Sequence, residues 1–303
     1  MQEVNHIQFC PDCTSQKITA LNTVPIKQNG ANILAPDYTL YECANCGLWF
    51  KQALPNFDRL YKMANLLQAL PNQINHKKAP YDIALNKLVA KLSKGSTLLL
   101  ANCNNLGLQT GYRHIHKFGI DANEKQAVLA EKNGLHILGP FVTANYLGDY
   151  KFDLIILQDV LEEMASPTNC IRTLLRHLKA NGQLIIICLR TDSLACKLDG
   201  AAYWYFSTHA GKSVYLNHKY LHRLKEQLKG YEITYKSIKL SSFNFKKYCS
   251  NLWNIIKKIS SHNNLFNLFR PVQKVIDYPI STSPYRYSQF KDHYLIHIKK
   301  NIN

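Results

Sequence analysis

The chain has 303 residues, 46% of them hydrophobic, and a formal charge of +17 from 37 Lys and Arg against 20 Asp and Glu. That content excludes wholesale disorder, and the length suits one large α/β domain with a small appendage. The opening MQEVNHIQFC lacks the basic and apolar regions of a secretory signal, and no apolar run is long enough to span a bilayer, so the expected location is cytoplasmic.

Two cysteine pairs come first: Cys10-Pro-Asp-Cys13 and Cys43-Ala-Asn-Cys46-Gly47. Each pair can grip one ion from a single turn, and two such knuckles complete a tetrahedron. An odd total of nine cysteines and the doubled spacing favour metal over disulfides or a redox dithiol, which normally carries one such pair. Cys10, Cys13, Cys43 and Cys46 are therefore the expected ligands of one structural zinc. The set is closed, so the metal should fold the chain and not catalyse. Residues 38–41 read as a strand into the second knuckle.

Residues 71–80 read as a polar linker and 83–92 as a helix. An alternation of apolar strands and helices follows. Strands are expected at 97–101, 114–120, 135–138, 152–157 and 183–188, with helices at 107–113, 124–133 and 170–178. Continuous apolar strands between helices imply a doubly wound, mostly parallel sheet with its ligand at the strands' carboxyl ends. A basic helix at 219–228, a strand at 231–240, a helical basic-aromatic stretch at 243–275 and a final strand at 293–298 complete the chain. The expected organisation is a zinc-binding head at 1–70, linker and helix at 71–94, a Rossmann-like domain at 95–242, and a helical insertion with the sheet's last strand at 243–303.

This ordered series resembles the class I S-adenosylmethionine-dependent methyltransferases, in the branch with an N-terminal zinc-binding head, many members of which act on sugars. The head carries the resemblance in Cys10-Pro-Asp-Cys13 and in Tyr38-x-Leu40-Tyr41-x-Cys43-x-x-Cys46-Gly47-Leu48-x-Phe50. The body carries it in Phe152-Asp153-Leu154-Ile155-Ile156-Leu157, in Val160-Leu161-Glu162, and in Leu178-Lys179-Ala180-Asn181-Gly182-Gln183-Leu184. The resemblance implies S-adenosylmethionine as cofactor and a small, sugar-like acceptor.

Asp121 ends the second strand of the expected sheet, where an acid accepts hydrogen bonds from the hydroxyls of a nucleoside ribose; a solvated turn Asp is the alternative. The family's first loop, D-x-G-x-G-x-G, is altered. Leu100 replaces the acid, and Asn102, Asn104 and Leu106 replace glycines. Asparagine tolerates the left-handed backbone that glycine supplies, so Asn102 and Asn104 can keep the turn, while Leu106 crowds it. Gln158 and Asp159 end the fourth strand and can touch cofactor or substrate. Where the family has x-H-V-L-E-H-L, this chain has Asp159 and Glu163 for the histidines; Glu162 and Glu163 read equally well as acids favouring a helix start. His209 fits the histidine of the family's E-H-x-x-x-F-S pattern, a candidate general base.

Two functions compete: methyl transfer to a small acceptor, or a catalytically silent binding or scaffolding relative that kept the fold. The charge leaves room for a phosphate-bearing acceptor, and residues 243–275 for peripheral contact with an anionic membrane. Nucleic acid ranks last, since no RNA-binding signature accompanies the charge.

Overall fold

The computed structural model describes residues 8–24, 38–51, 61, 65, 80–103, 108, 111–199, 206, 211–238 and 291–300. The expected insertion at 243–275 lies outside them. Two sheets carry the fold. The small one is antiparallel: β1 (Ile18–Val24), β2 (Tyr38–Cys43) and β3 (Trp49–Lys51), completed by β9 (Val214–Tyr215) from much later in the chain. The large one has β4 (Thr97–Ala101), β5 (His116–Ile120), β6 (His136–Gly139), β7 (Phe152–Gln158), β8 (Leu178–Leu189), β10 (Tyr231–Ile238) and β11 (His293–Lys300), in the spatial order β10-β11-β8-β7-β4-β5-β6.

β6, β5, β4, β7 and β8 pair in parallel, and β11 lies antiparallel between β8 and β10. This is the expected mostly parallel, Rossmann-like sheet. After β4 the chain moves outward through β5 and β6, then returns to lay β7 on β4's other side. That reversal opens a crevice beyond the carboxyl ends of β4 and β7, where open α/β sheets bind ligands.

The strands are apolar throughout because both faces are covered. Side chains alternate across a strand. Leu99, Ala101, Ile155, Leu157, Leu184 and Ile186 join one buried cluster, and Leu98, Leu100, Leu154, Ile156, Ile185 and Ile187 another. The first face is packed by α4 (Pro167–Arg176) and α6 (His218–Gln227), the second by α1 (Pro80–Val89) and α2 (Glu124–Lys132). Two short helices, α3 (Ala144–Leu147) and α5 (Leu194–Asp199), complete the set described. No helix among the described residues is long and apolar enough to cross a membrane.

Two expected helices differ. Residues 111–113 are not helical, with Tyr112 at φ 58, so the helix expected at 107–113 does not extend through Arg113. Glycine's conformational cost and the left-handed Tyr112 both oppose continuation. The helix expected to reach Leu178 ends at Arg176, because Leu178 already pairs with Phe152 in the sheet. Gly182 is needed in that strand: a Cβ there would lie 2.7 Å from the Phe152 carbonyl oxygen.

Candidate functional sites

The two knuckles bring the four predicted cysteines together. The first is a turn ahead of β1 and the second links β2 to β3. The four Sγ atoms lie within 4.8 Å of one another, with Cys10 to Cys46 and Cys13 to Cys43 each at 3.6 Å. Thiolates about 2.3 Å from a tetrahedral zinc sit about 3.8 Å apart, so the residues fit that ion. Cys10, Cys43 and Cys46 are buried. The hydrogen bond from the Cys46 thiol pulls Cys10 down to about 5 against the effect of burial, and the same bond, with burial, pushes Cys46 up. Gly47 closes the second knuckle at φ 81, where a Cβ would lie 2.6 Å from the Asn217 side chain. Glycine is required there by conformation and by contact.

Asp12, inside the first knuckle, reaches the large sheet's helices. Its Oδ1 accepts from the Ser166 hydroxyl at 2.7 Å and the Thr168 amide at 2.9 Å. Its Oδ2 accepts from the Thr168 hydroxyl at 2.8 Å and from the Tyr220 hydroxyl at 3.1 Å. Ser166 is the N-cap of α4, so a carboxylate from the head sits on that helix's positive end. On the other side, the Lys51 amide donates to the Ser213 carbonyl at 2.9 Å, and the Ser213 amide to the Glu162 carbonyl at 2.6 Å. The head therefore contacts the segment after β7 directly at Ser166 and Thr168 and, through Ser213, at Glu162.

Asn102, Asp121, Gln158 and Asp159, four of the five expected cofactor residues, lie at the carboxyl ends of β4, β5 and β7. Asn102 leaves β4 at φ 71, the left-handed turn that a glycine would supply. Its side-chain amide donates to the Gln158 carbonyl at 3.2 Å, tying the ends of β4 and β7. Asp121 follows β5 and accepts the Cys103 amide on Oδ2 at 2.8 Å and the Asn123 amide on Oδ1 at 2.9 Å. Burial raises its pKa, opposed by those two amides. Each oxygen keeps a second lone pair for another donor. Leu100, in the place of the family's acid, is buried in the sheet's core. Asn104, Leu106 and His209 lie outside the described residues.

Asp159 stands at the end of β7 with φ 54, near Glu162 and Glu163 and two groups that sequence reasoning missed, Lys212 and His293. The Lys212 ammonium donates to the Asp159 carbonyl and to Glu163 Oε1, the latter at 2.7 Å. Glu162 is fully buried; its Oε1 accepts the Leu189 amide at 2.7 Å, and burial pushes its pKa up to about 7. His293 opens β11, which runs opposite to β8 and so starts at the carboxyl edge. Its Nδ1 is 2.9 Å from Asp292 Oδ1, and its Nε2 is 3.9 Å from Asp159 Oδ1. Burial lowers the His293 pKa, but Asp292, Asp159 and Glu162 outweigh it and raise it to about 9.

Asp153 lies at the opposite, amino edge, where it accepts the Thr97 amide and the Lys179 ammonium, each at 2.7 Å. It clips three strands together far from the crevice.

Comparisons with known proteins agree with this architecture. Residues 95–186 match the family model described as a methyltransferase domain. The structure of the 4+2 cyclase SpnF is similar at a TM-score of 0.51 and 20% identity, over 82% of this chain and 98% of that one. The plantazolicin methyltransferase BamL, solved with a triazolic desmethylPZN analog and SAH, aligns at a TM-score of 0.46 and 13% identity, over 81% and 91%. No curated protein matches. The segment at 95–186 is thus similar to methyltransferase domains, and the chain around it has a fold shared with SpnF.

Proposed function

We propose that this protein transfers a methyl group from S-adenosylmethionine to a small sugar or sugar-nucleotide acceptor, and that its head holds one structural zinc. The observation that carries the cofactor is Asp121 at the end of β5, beside the left-handed turn at Asn102, within the segment similar to methyltransferase domains. The cofactor supplies an electrophilic methyl on a sulfonium. Asp121 receives ribose hydroxyls on its remaining lone pairs, and Asn102 holds the backbone in the turn that lets a nucleoside approach. Gln158 and Asp159, at the carboxyl end of β7, are the further candidates for contact with the cofactor. The acceptor class rests on the sequence resemblance, as does His209 as the base that takes the acceptor's proton; the positive charge suits a phosphate-bearing acceptor.

Calorimetry tests the reading. S-adenosylmethionine should bind, and Asp121→Ala should weaken it about 10- to 100-fold, the worth of hydrogen bonds to a charged group. Unchanged affinity in Asp121→Ala would overturn the ribose assignment. Binding of neither S-adenosylmethionine nor adenosine at high micromolar protein would favour the second reading, a silent relative. Leu100 in the acid's place and the lysine at the crevice are the observations on that side.

A further inference from the structure

The end of β7 is built to accept a cation, and it already has one. We infer that Lys212 fills a cation subsite at the carboxyl edge of the sheet, so that a ligand bearing an ammonium or sulfonium group must displace its side chain to bind. This rests on the proposed cofactor site and deepens it.

Three observations carry the inference. First, the acceptors are of the kind a cation needs: the Asp159 carbonyl and the Glu163 carboxylate, both held by the Lys212 ammonium. Second, acid is in excess. Lys212 and His293 face Asp159, Glu162, Glu163 and Asp292, and Glu162 Oε2 is buried with no hydrogen-bond partner among the described residues. One lysine does not saturate the set. Third, the subsite adjoins the ribose acid: Glu163 and Lys212 both act electrostatically on Asp121. A nucleoside on Asp121 with a charged tail would bring that charge to where Lys212 sits.

The consequence is selective. Adenosine needs Asp121 and no cation subsite. S-adenosylmethionine, with a sulfonium and an ammonium, competes with Lys212. Displacement swings Lys212 outward on its flexible stem and leaves the Asp159 carbonyl and Glu163 to the ligand.

The test is calorimetry of the full chain with S-adenosylmethionine and with adenosine. Lys212→Met should bind S-adenosylmethionine at least about tenfold tighter than the wild type, with adenosine within about twofold. Lys212→Gln, which keeps a donor for the Asp159 carbonyl, should show the same rise and serves if Met impairs folding. Lys179→Met removes the same charge at the opposite edge and should change neither ligand. Adenosine binding retained with S-adenosylmethionine unimproved in both Lys212 variants would overturn the inference and leave the cofactor reading standing. An equal gain in Lys179→Met would overturn it as a net-charge effect. Absence of binding of both ligands in the wild type and in every variant would overturn the cofactor reading and the inference together.

Discussion

At the scale of single residues, the crevice is decided by groups that hold protons without exposure to water. Glu162 has a pKa of about 7 against an ordinary 4.5, so the folded chain keeps a proton that the unfolded chain loses. Its contribution to stability is whole below 4.5 and declines as pH rises through about 7. His293, at about 9 against 6.5, contributes fully below 6.5 and loses that contribution as pH rises through 9. Both signs agree. The denaturant midpoint should fall between about pH 5 and about pH 9, Glu162→Gln flattening the lower part and His293→Gln the upper. A midpoint that rises over that window would contradict the assignment. The places of Asp121 and Asn102 in the fold were legible because each follows a strand recognisable by its own apolar run. Sequence reasoning missed Lys212 and His293, whose partner Asp159 is brought to them only by strand order.

At the scale of elements, the head is joined to the sheet by polar contacts at chosen points. Asp12 is the clearest. It lies between two of the clustered cysteines in sequence, yet the described hydrogen bonds of its carboxylate run to Ser166, Thr168 and Tyr220. Asp12→Ala should cost about 1 to 3 kcal/mol, because it removes a carboxylate from a helix N-terminus and strips hydroxyls of their partner. Metal content should remain unchanged, since no ligand is lost. Denaturant melts with parallel metal analysis check both, and a variant as stable as the wild type would show the latch to be idle. The local rules worked best where one element suffices. They placed α2 and α6 within a residue or two, and failed at 111–113, where backbone conformation overrode a plausible helix.

At the scale of the molecule, head and sheet share one core. Cys10, Cys43 and Cys46 belong to the same buried cluster as Ile155, Leu157 and Leu184 of the large sheet. β9 completes the head's sheet although it follows α5 in the chain. Loss of the metal should therefore lower one unfolding transition for the whole chain. Cys43→Ser is expected to shift the calorimetric melt down as a single peak and to remove bound zinc. Two separated peaks would mean an independently folding head, and zinc at less than about half an equivalent in the wild type would count against the centre itself.

The sequence by itself determined the four-cysteine cluster, the apolar strands, the alternation of strands and helices, and an acid at the end of β5. Each depends on residues close together in the chain, where spacing maps directly onto geometry. Only the tertiary structure decided what surrounds those features. Burial on both faces does not reveal strand order, and strand order is what carries His293 to Asp159. A two-residue strand too short to read in isolation joins the head to the body and sets Lys212 over the end of β7. Charges from residues 159, 212 and 293 meet there because the sheet's carboxyl edge gathers the ends of distant segments, and no local pattern encodes that meeting.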